Sequence, residues 1–180
     1  MGTTDNRRTG PDGAPVQLRM ESRTSTLPTG VVTEHSHLSH PGASAIVAFA
    51  DPDTVLMIRQ YRPPVGQFVW EVPAGKINGG ETPMECAGRE LREEVGRVAG
   101  RLQLLGRLWM EPGYTDEVMH IYRADDLKVV PAAREHDEVI EQHEMSLQDA
   151  FDLIRGQRFW DAKSLIALEL AAESSGRFLR

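Results

Sequence analysis

Cysteine is almost missing from this sequence, and long apolar runs are missing altogether. Its one cysteine, Cys86, can neither close an internal disulfide nor build a cysteine metal site alone, which excludes a disulfide-stapled domain and a zinc ribbon. No segment approaches the roughly 18 consecutive apolar residues that a membrane-spanning helix needs. The first 15 residues hold two arginines with no apolar run behind them, so they are not predicted to be a secretory signal. We expect a cytoplasmic protein with no membrane partner.

Positive charge is also scarce. Lys and Arg number 20 against 27 Asp and Glu, which gives a formal net charge of -7. An acidic chain without a basic cluster is poorly suited to bind a nucleic-acid backbone, so nucleic acid is excluded as the expected partner. Hydrophobic residues nevertheless make up 40% of the chain, which is enough for a packed core. A length of 180 residues fits one domain of ordinary size.

Composition divides the chain into three parts. Residues 1–15 are rich in Gly, Thr, Asp and Pro and are predicted to form a disordered tail. Residues 16–42 read as two long strands around a Pro-Thr-Gly turn that begins at Pro28. The remaining segment, 43–180, is predicted to be the main domain.

Short apolar segments between turn residues predict a sheet-rich main domain. The predicted strands are 43–50, 55–61, 68–72, 102–110, 118–122 and 139–145. Two helices are predicted near the C-terminus, one capped by Ser146 and ending near Arg155, and one over about 162–174. Strands outnumber helices and do not alternate with them one for one. The expected class is therefore α+β, with a mixed sheet flanked by helices.

The clearest helix begins after Thr82. This residue is a predicted N-cap, Pro83 stands at the first helical position, and Glu85 completes a capping box three residues after the cap. An apolar stripe of period 3.6 follows, and Gly96 supplies the C-terminal stop.

Three carboxylates lie close together on this helix. Glu90 and Glu94 are one turn apart on one flank of the apolar stripe, and Glu93 lies on the adjoining face. Arg89 is four residues from both Glu85 and Glu93 and is predicted to pair with them. A hard divalent cation such as Mg2+ or Mn2+ would relieve the repulsion among the carboxylates, because such ions prefer oxygen ligands. On the helix alone a solvated charged face is the more common interpretation of such a pattern, so the flanking residues decide.

Those residues complete a known pattern. Gly75 is followed by five residues and then Glu81. After seven intervening residues the chain reads Arg-Glu-Leu-Arg-Glu-Glu-Val-Gly over 89–96. The whole segment resembles the Nudix box, with one departure, since Arg97 stands where the pattern has an aliphatic residue. Gly75 is the glycine most strongly expected to let the loop backbone approach a metal or phosphate.

The resemblance implies a fold, a chemistry and a set of roles. The implied fold is the α/β/α sandwich of the Nudix family, and the implied reaction is Mg2+-dependent hydrolysis of a nucleoside diphosphate linked to another group, with Mn2+ as a substitute. The implied metal ligands are the side chains of Glu90, Glu93 and Glu94 and the backbone carbonyl of Ala74. Arg89 would orient the carboxylates, which places it with Glu93 and Glu94 among the catalytic groups, and Glu81 is implied as a ligand through water.

Similarity beyond the box points to one branch of the family. The matching segments are Arg-Gln-Tyr-Arg-Pro over 59–63, Trp-Glu-Val-Pro-Ala-Gly over 70–75, Glu-Pro-Gly-Tyr-Thr-Asp-Glu over 111–117 and Asp-Ala-Lys-Ser-Leu over 161–165. Together with a proline 16 residues after Gly96, they resemble the ADP-ribose pyrophosphatase branch. The resemblance spans about residues 20 to 172.

The same segments supply the predicted substrate contacts. Arginines flank an aromatic residue near the end of a strand, and a tryptophan alternates with apolar neighbours on the next strand, which suits phosphate binding and base stacking. The predicted substrate-binding residues are Arg59, Arg62, Trp70, Glu71 and Gly113. Trp70 also fits a core position. Trp109 and Trp160 are expected to be buried in the core or in an interface.

The resemblance also implies a general base. The branch is thought to take it from a mobile loop after the box, where Glu138 is the best positional match and Glu135 and Asp137 are rivals. Glu117, in the proline-containing loop, is a weaker alternative.

The predicted function is hydrolysis of ADP-ribose to AMP and ribose 5-phosphate. The first alternative is the same chemistry on a nucleotide sugar, NADH or a flavin dinucleotide. A second alternative is a non-catalytic module that senses ADP-ribose, which the intact carboxylate motif disfavours. The branch also implies a homodimer whose N-terminal strands cross to the second subunit.

Overall fold

The structure, a computed structural model, describes residues 18–132 and 139–179. It contains a two-stranded hairpin, a seven-stranded sheet and three α-helices. In chain order the elements are β1 Arg19–Thr26, β2 Val32–Ser39, β3 Ala43–Phe49, β4 Thr54–Arg62, β5 Gln67–Glu71, β6 Ala74–Lys76, α1 Pro83–Val95, β7 Arg97–Trp109, β8 Val118–Val129, β9 Ile140–Ser146, α2 Leu147–Arg155 and α3 Ala162–Ser174. The mixed α+β class predicted from the sequence is confirmed.

The central strand of the main sheet is β3, which is buried along its whole length. It runs parallel to β8 on one side and antiparallel to β4 and β6 on the other. β5 and β9 both pair with β4, and β7 pairs with β8. Because β6 joins β3 beside its first residues, the turn between β5 and β6 lies next to the middle of the sheet.

Alternate residues of β3 belong to two separate apolar clusters. Ala45 and Val47 belong to the cluster that includes residues of α2 and α3, whereas Ile46 and Ala48 belong to the cluster that includes residues of α1. Successive strand residues point to opposite faces, so the helices lie on both sides of the sheet. This is the predicted α/β/α sandwich.

The start and the end of α1 follow from its local sequence. Thr82 accepts a hydrogen bond from the Glu85 amide, and the Glu85 carboxylate accepts one from the Thr82 amide, which completes the predicted capping box. Gly96 ends the helix in the left-handed conformation, at a φ of 60°. These caps fix the position of the carboxylates along the helix.

Two strands are longer than the sequence indicates. β7 begins at Arg97 instead of 102, and β8 continues to Val129 instead of 122, because the two are paired over that whole length. Many residues of β7 are exposed, so the added length lacks the apolar alternation that identifies a strand. Trp109 and Trp160 are 73% and 53% exposed, so the expectation of a core position is wrong for both.

The N-terminal strands form a hairpin, as predicted. β1 and β2 pair in register from Arg19 opposite Ser39 to Thr26 opposite Val32. The hairpin attaches to the domain through the loop before β8, where Leu38 donates its amide to the Tyr114 carbonyl at 2.7 Å. The predicted tail, 1–15, lies outside the described residues, and the proposed boundary at 42/43 stays a prediction. In the described part of the chain, none of the helices has the length and apolarity that crossing a membrane requires.

Candidate active site

The carboxylates of α1 face the turn between β5 and β6. The Ala74 amide donates a hydrogen bond to Glu94 Oε2 at 3.0 Å, and Glu94 is only 1% exposed. Glu90 is also buried, at 8% exposure, on the same side of the helix. The predicted ligands Ala74, Glu90 and Glu94 therefore lie together at the interface of α1 and the sheet.

Arg89 binds three of the acidic side chains at once. Its Nε donates to Glu81 Oε1 at 2.8 Å, and its Nη1 donates to Glu90 Oε1 at 2.7 Å and to Glu93 Oε2 at 2.8 Å. A further bond from Nη2 to the Lys76 carbonyl, at 2.9 Å, connects the arginine to the end of β6. Hence a single guanidinium orients the carboxylates on α1 and on the loop.

The predicted pairing of Arg89 with Glu85 is wrong. The Glu85 carboxylate accepts hydrogen bonds from the amide and the hydroxyl of Thr82, at 2.8 and 2.7 Å. An acid used in a capping box is turned toward the helix start. Arg89 pairs instead with Glu81, which sequence spacing along the helix does not indicate.

The charges in this cluster stabilise one another. Burial disfavours the charged form of Arg89, but its hydrogen bonds and attractions to Glu81, Glu90 and Glu93 outweigh this effect and raise its pKa. For Glu81, burial likewise acts to raise the pKa, while the bonds from Arg89 and the Asn78 amide lower it below its usual value. We therefore expect Arg89 and Glu81 to be ionised at neutral pH.

Gly75 is required by the close approach of Glu90. A Cβ atom built on Gly75 would lie 1.8 Å from Glu90 Oε1 and 2.2 Å from its carboxyl carbon. No Cβ is tolerated at that distance, so any other residue at this position would displace the Glu90 carboxylate from its bond to Arg89 or shift the loop. This contact gives a physical reason for the first fixed position of the box.

The donor set fits a hard divalent cation. In the conformation described, residues 18–132 and 139–179 form no ready-made group of three metal-capable side chains, since Arg89 binds two of the α1 carboxylates. The set nevertheless offers carboxylate oxygens on adjacent turns of one helix and a peptide carbonyl on the facing turn, which are the ligands that Mg2+ and Mn2+ prefer. One of the buried carboxylates, Glu90, already binds the positive charge of Arg89.

Two predicted substrate residues, Arg62 and Glu71, bind each other. Arg62 donates from Nε and Nη2 to the two oxygens of Glu71, both at 2.7 Å. Burial acts to raise the pKa of Glu71, but Arg62 and Lys163 together hold it below its usual value. Lys163 Nζ donates to Glu71 and, at 2.9 Å, to Asp161. Glu71 is thus an ionised carboxylate held between two cations.

Arg59 and Trp70 share another face of the sheet. They lie opposite each other in the β4–β5 pairing. Arg59 Nη1 donates to Glu141 at 3.0 Å and its guanidinium lies 4.4 Å from the centre of the Phe68 ring. Trp70 packs edge-on against His143, with ring centres 4.6 Å apart, and it also contacts the core. The face therefore combines an arginine with aromatic rings.

The remaining candidates lie in and after the loop before β8. Glu117 follows Gly113 in this loop, and burial raises the pKa of its carboxyl group while Lys163 acts to lower it. His40 Nε2 lies 3.9 Å from Glu117 Oε1. Glu117 is thus within electrostatic range of the Arg62–Glu71–Lys163 group. The candidate bases Glu135, Asp137 and Glu138 lie outside the described residues.

Sequence reasoning assigned no role to three residues at the start of α3. Asp161 caps the helix and accepts a hydrogen bond from the Ser164 amide at 3.0 Å. Lys163 and Ser164 are buried, at 8% and 0% exposure, although both side chains are polar. The sequence does contain one indication of this group, a capping aspartate followed within three residues by a lysine and a serine. The residues that they bind, Glu71 and Val72, are 92 residues away in the sequence, so the pattern alone does not reveal their partners.

Comparison with known proteins agrees with this geometry. The NUDIX domain family matches residues 38–168. The chain is 37% identical over 145 residues to an ADP-ribose pyrophosphatase of Bacillus subtilis and 35% identical over 145 residues to a methanol dehydrogenase activator of Bacillus methanolicus, each alignment covering 79% of this chain and 78% of the relative. A solved structure described as an ADP compounds hydrolase superposes with a TM-score of 0.75 at 29% identity, over 89% of both chains.

A domain match of this extent, on a sandwich in which the box helix packs against the central sheet, settles the class. The chain belongs to the NUDIX family and is a Nudix hydrolase. Its substrate class is a small nucleoside diphosphate compound, and such enzymes generally use divalent metal ions.

Proposed function

We propose that this enzyme hydrolyses ADP-ribose to AMP and ribose 5-phosphate with Mg2+, for which Mn2+ can substitute. The observation that carries the proposal is the cluster in which Arg89 binds Glu81, Glu90 and Glu93 beside Gly75, where a side chain would collide with Glu90. The choice of ADP-ribose is supported by the 37% identity to a protein named ADP-ribose pyrophosphatase.

In this proposal Glu90, Glu93, Glu94 and the Ala74 carbonyl hold the metal. A bound ion would stabilise negative charge on the phosphate oxygens and make water a better nucleophile. The role of the chain is to hold these groups in place: Arg89 orients the outer carboxylates, and the Ala74 amide fixes Glu94. Such prior positioning is what speeds phosphoryl transfer when little covalent chemistry falls to the protein.

The substrate residues fit the two halves of a dinucleotide-like diphosphate. Glu71 holds Arg62 through one edge of the guanidinium, so Nη1 on the other edge is directed away from that acid and suits a phosphate oxygen. Arg59 and Trp70 offer planar groups for stacking on a base. Gly113 belongs to the loop that carries Glu117, and we assign this loop to the ribose 5-phosphate half.

The general base in this proposal is Glu138, with Glu135, Asp137 and Glu117 as its rivals. A general base contributes roughly 100-fold to 10,000-fold to the rate. Glu138→Gln is therefore expected to lower kcat by about 100-fold or more while KM changes little. Glu117→Gln, assayed beside it, is the comparison variant. If kcat is unchanged in the first variant and falls in the second, the base is Glu117.

Substrate choice is tested by ranking kcat/KM with Mg2+ over a panel. ADP-ribose, NADH, a nucleotide sugar, a flavin dinucleotide and a dinucleoside polyphosphate cover the alternatives. We expect ADP-ribose to give the highest value. Preference for another compound would keep the Nudix chemistry and reject the proposed substrate, and binding of ADP-ribose without hydrolysis of any compound would favour the sensor.

We also propose that the enzyme is a homodimer joined through the hairpin. By strand alternation Met20 and Val32 share one face of it, and they are 70% and 65% exposed. Both side chains are thus open to contact with a second chain, one near each end of the hairpin.

The dimer is tested with Met20→Glu, since a charge on that face would have to be buried in the interface. We expect light scattering to give twice the 20.0 kDa of one chain for the unchanged protein and a single-chain mass for the variant. Arg23→Gln, on the opposite face, makes the same change in net charge and should keep the dimer. A single-chain mass for the unchanged protein would reject the proposal.

A further inference from the structure

We infer that the first turn of α3, formed by Asp161, Lys163 and Ser164, is a positioning element for the metal site in the opposite layer. It holds the turn of residues 72–74, and that turn presents the Ala74 carbonyl and binds Glu94. The inference rests on the proposed metal site and names residues that lie outside the box segment of 75–97.

Ser164 makes the direct link between the helix and the turn. Its side chain is fully buried, and its Oγ accepts a hydrogen bond from the Val72 amide at 2.8 Å. The same hydroxyl donates to Asp161 Oδ2. The Val72 amide can only donate, so the serine oxygen accepts its hydrogen and the hydroxyl proton is left for Asp161.

The turn itself has only two amide donors. Proline at 73 has no N–H, and its carbonyl accepts a hydrogen bond from the Ile46 amide at 2.9 Å. The Val72 amide is bound by Ser164, and the Ala74 amide is bound by Glu94 Oε2 at 3.0 Å. The two donors of the turn thus connect α3 on one side of the sheet to the carboxylate of α1 on the other.

A second contact holds the residue just before the turn. Lys163 donates to Glu71 and to Asp161, and Arg62 donates to both oxygens of Glu71. Glu71 and Val72 are consecutive, so side chain and backbone are anchored by the same helical turn. Glu71 is 1% exposed and Lys163 is 8% exposed, so water cannot replace a lost partner at either side chain. Removing one partner would leave a buried charge unpaired, which is strongly destabilising.

Loss of the Ser164 hydroxyl would displace the proposed metal ligands. Without Ser164 Oγ the Val72 amide is buried and unpaired, and the turn must shift to satisfy it. A shift of the turn moves the Ala74 carbonyl and the amide that holds Glu94. Groups that orient metal ligands typically change metal affinity by about 10-fold to 100-fold when they are removed.

The test is the affinity for Mn2+, measured by calorimetry or by the loss of the free-ion paramagnetic resonance signal, with no substrate present. Ser164→Ala should weaken the affinity by about tenfold or more, and Ser164→Thr, which keeps the hydroxyl, should restore most of it. Ser174→Ala makes the same change in the last turn of the same helix, where the hydroxyl donates to the Ala171 carbonyl, and should leave the affinity unchanged.

A lower melting temperature with unchanged Mn2+ affinity in Ser164→Ala would overturn the inference, since the network would then only anchor the helix. Should this variant fail to fold, Asp161→Asn replaces it, because asparagine is an equally good helix cap but accepts the serine proton and the lysine less strongly. Asp161→Asn is then expected to weaken Mn2+ binding, and wild-type affinity in it would overturn the inference.

The proposed substrate can be rejected while the inference about Ser164 and the metal site stands. An unchanged protein that binds Mn2+ but cleaves no ADP-ribose would reject the substrate and leave the affinity comparison decisive. Failure of the unchanged protein to bind Mn2+ would reject the metal site and this inference with it.

Discussion

Glu94→Gln is expected to abolish turnover and leave the fold intact. Glutamine keeps the length of the side chain and an oxygen that can accept the Ala74 amide, so the turn stays in place. It removes the negative charge from the most deeply buried of the α1 carboxylates. A metal ion supplies several kcal/mol of transition-state stabilisation, so its loss should lower kcat by about 1,000-fold or more.

The matched control for this variant is Glu169→Gln, which changes an exposed glutamate on α3. Its rate should equal that of the unchanged protein. Circular dichroism and the melting temperature establish that both variants are folded. Normal turnover by folded Glu94→Gln would remove this residue from the metal ligands.

Gly75→Ala is expected to reduce activity by about 100-fold or more. The added methyl group would lie 1.8 Å from Glu90 Oε1, far inside any allowed contact, so either the carboxylate or the loop must move. Glu90 is held by Arg89 at 2.7 Å, and moving it also disturbs that arginine. A displacement of about 1 Å at a catalytic group can cost about 100-fold in rate.

Gly88→Ala is the control for the glycine substitution. A Cβ there would meet only Leu102 Cδ1, at 3.9 Å, which is an ordinary contact. Glycine inside a helix costs up to about 1 kcal/mol relative to alanine, so this variant should be slightly more stable and fully active. Equal activity of the Gly75 and Gly88 variants would contradict the assigned contact between Gly75 and Glu90.

The box helix could be predicted closely because its signals are local. Thr82, Glu85 and Gly96 act through hydrogen bonds to atoms within five residues, and those bonds depend little on the rest of the fold. The positions of most strands along the chain, and of α2 and α3, likewise followed from apolar patterns and caps. The identity of the metal ligands followed from the resemblance to the family and stays a prediction.

Other features depend on contacts between distant parts of the chain. The partners of Lys163 and Ser164 lie 92 residues away, so no window of sequence shows them. Arg89 was assigned to Glu85 by helical spacing, but the capping box holds that acid and the loop supplies Glu81 in its place. The length of β7 was missed because backbone pairing, with little burial, keeps the strand in place.

The central claim is tested most directly by identifying the products formed from ADP-ribose. The purified protein is incubated with ADP-ribose and Mg2+, and the products are separated by chromatography, with parallel samples containing a chelator or the Glu94→Gln variant. We predict AMP and ribose 5-phosphate in equal amounts in the first sample and neither in the other two. Intact ADP-ribose in the first sample, or the same products in all three, would contradict the account.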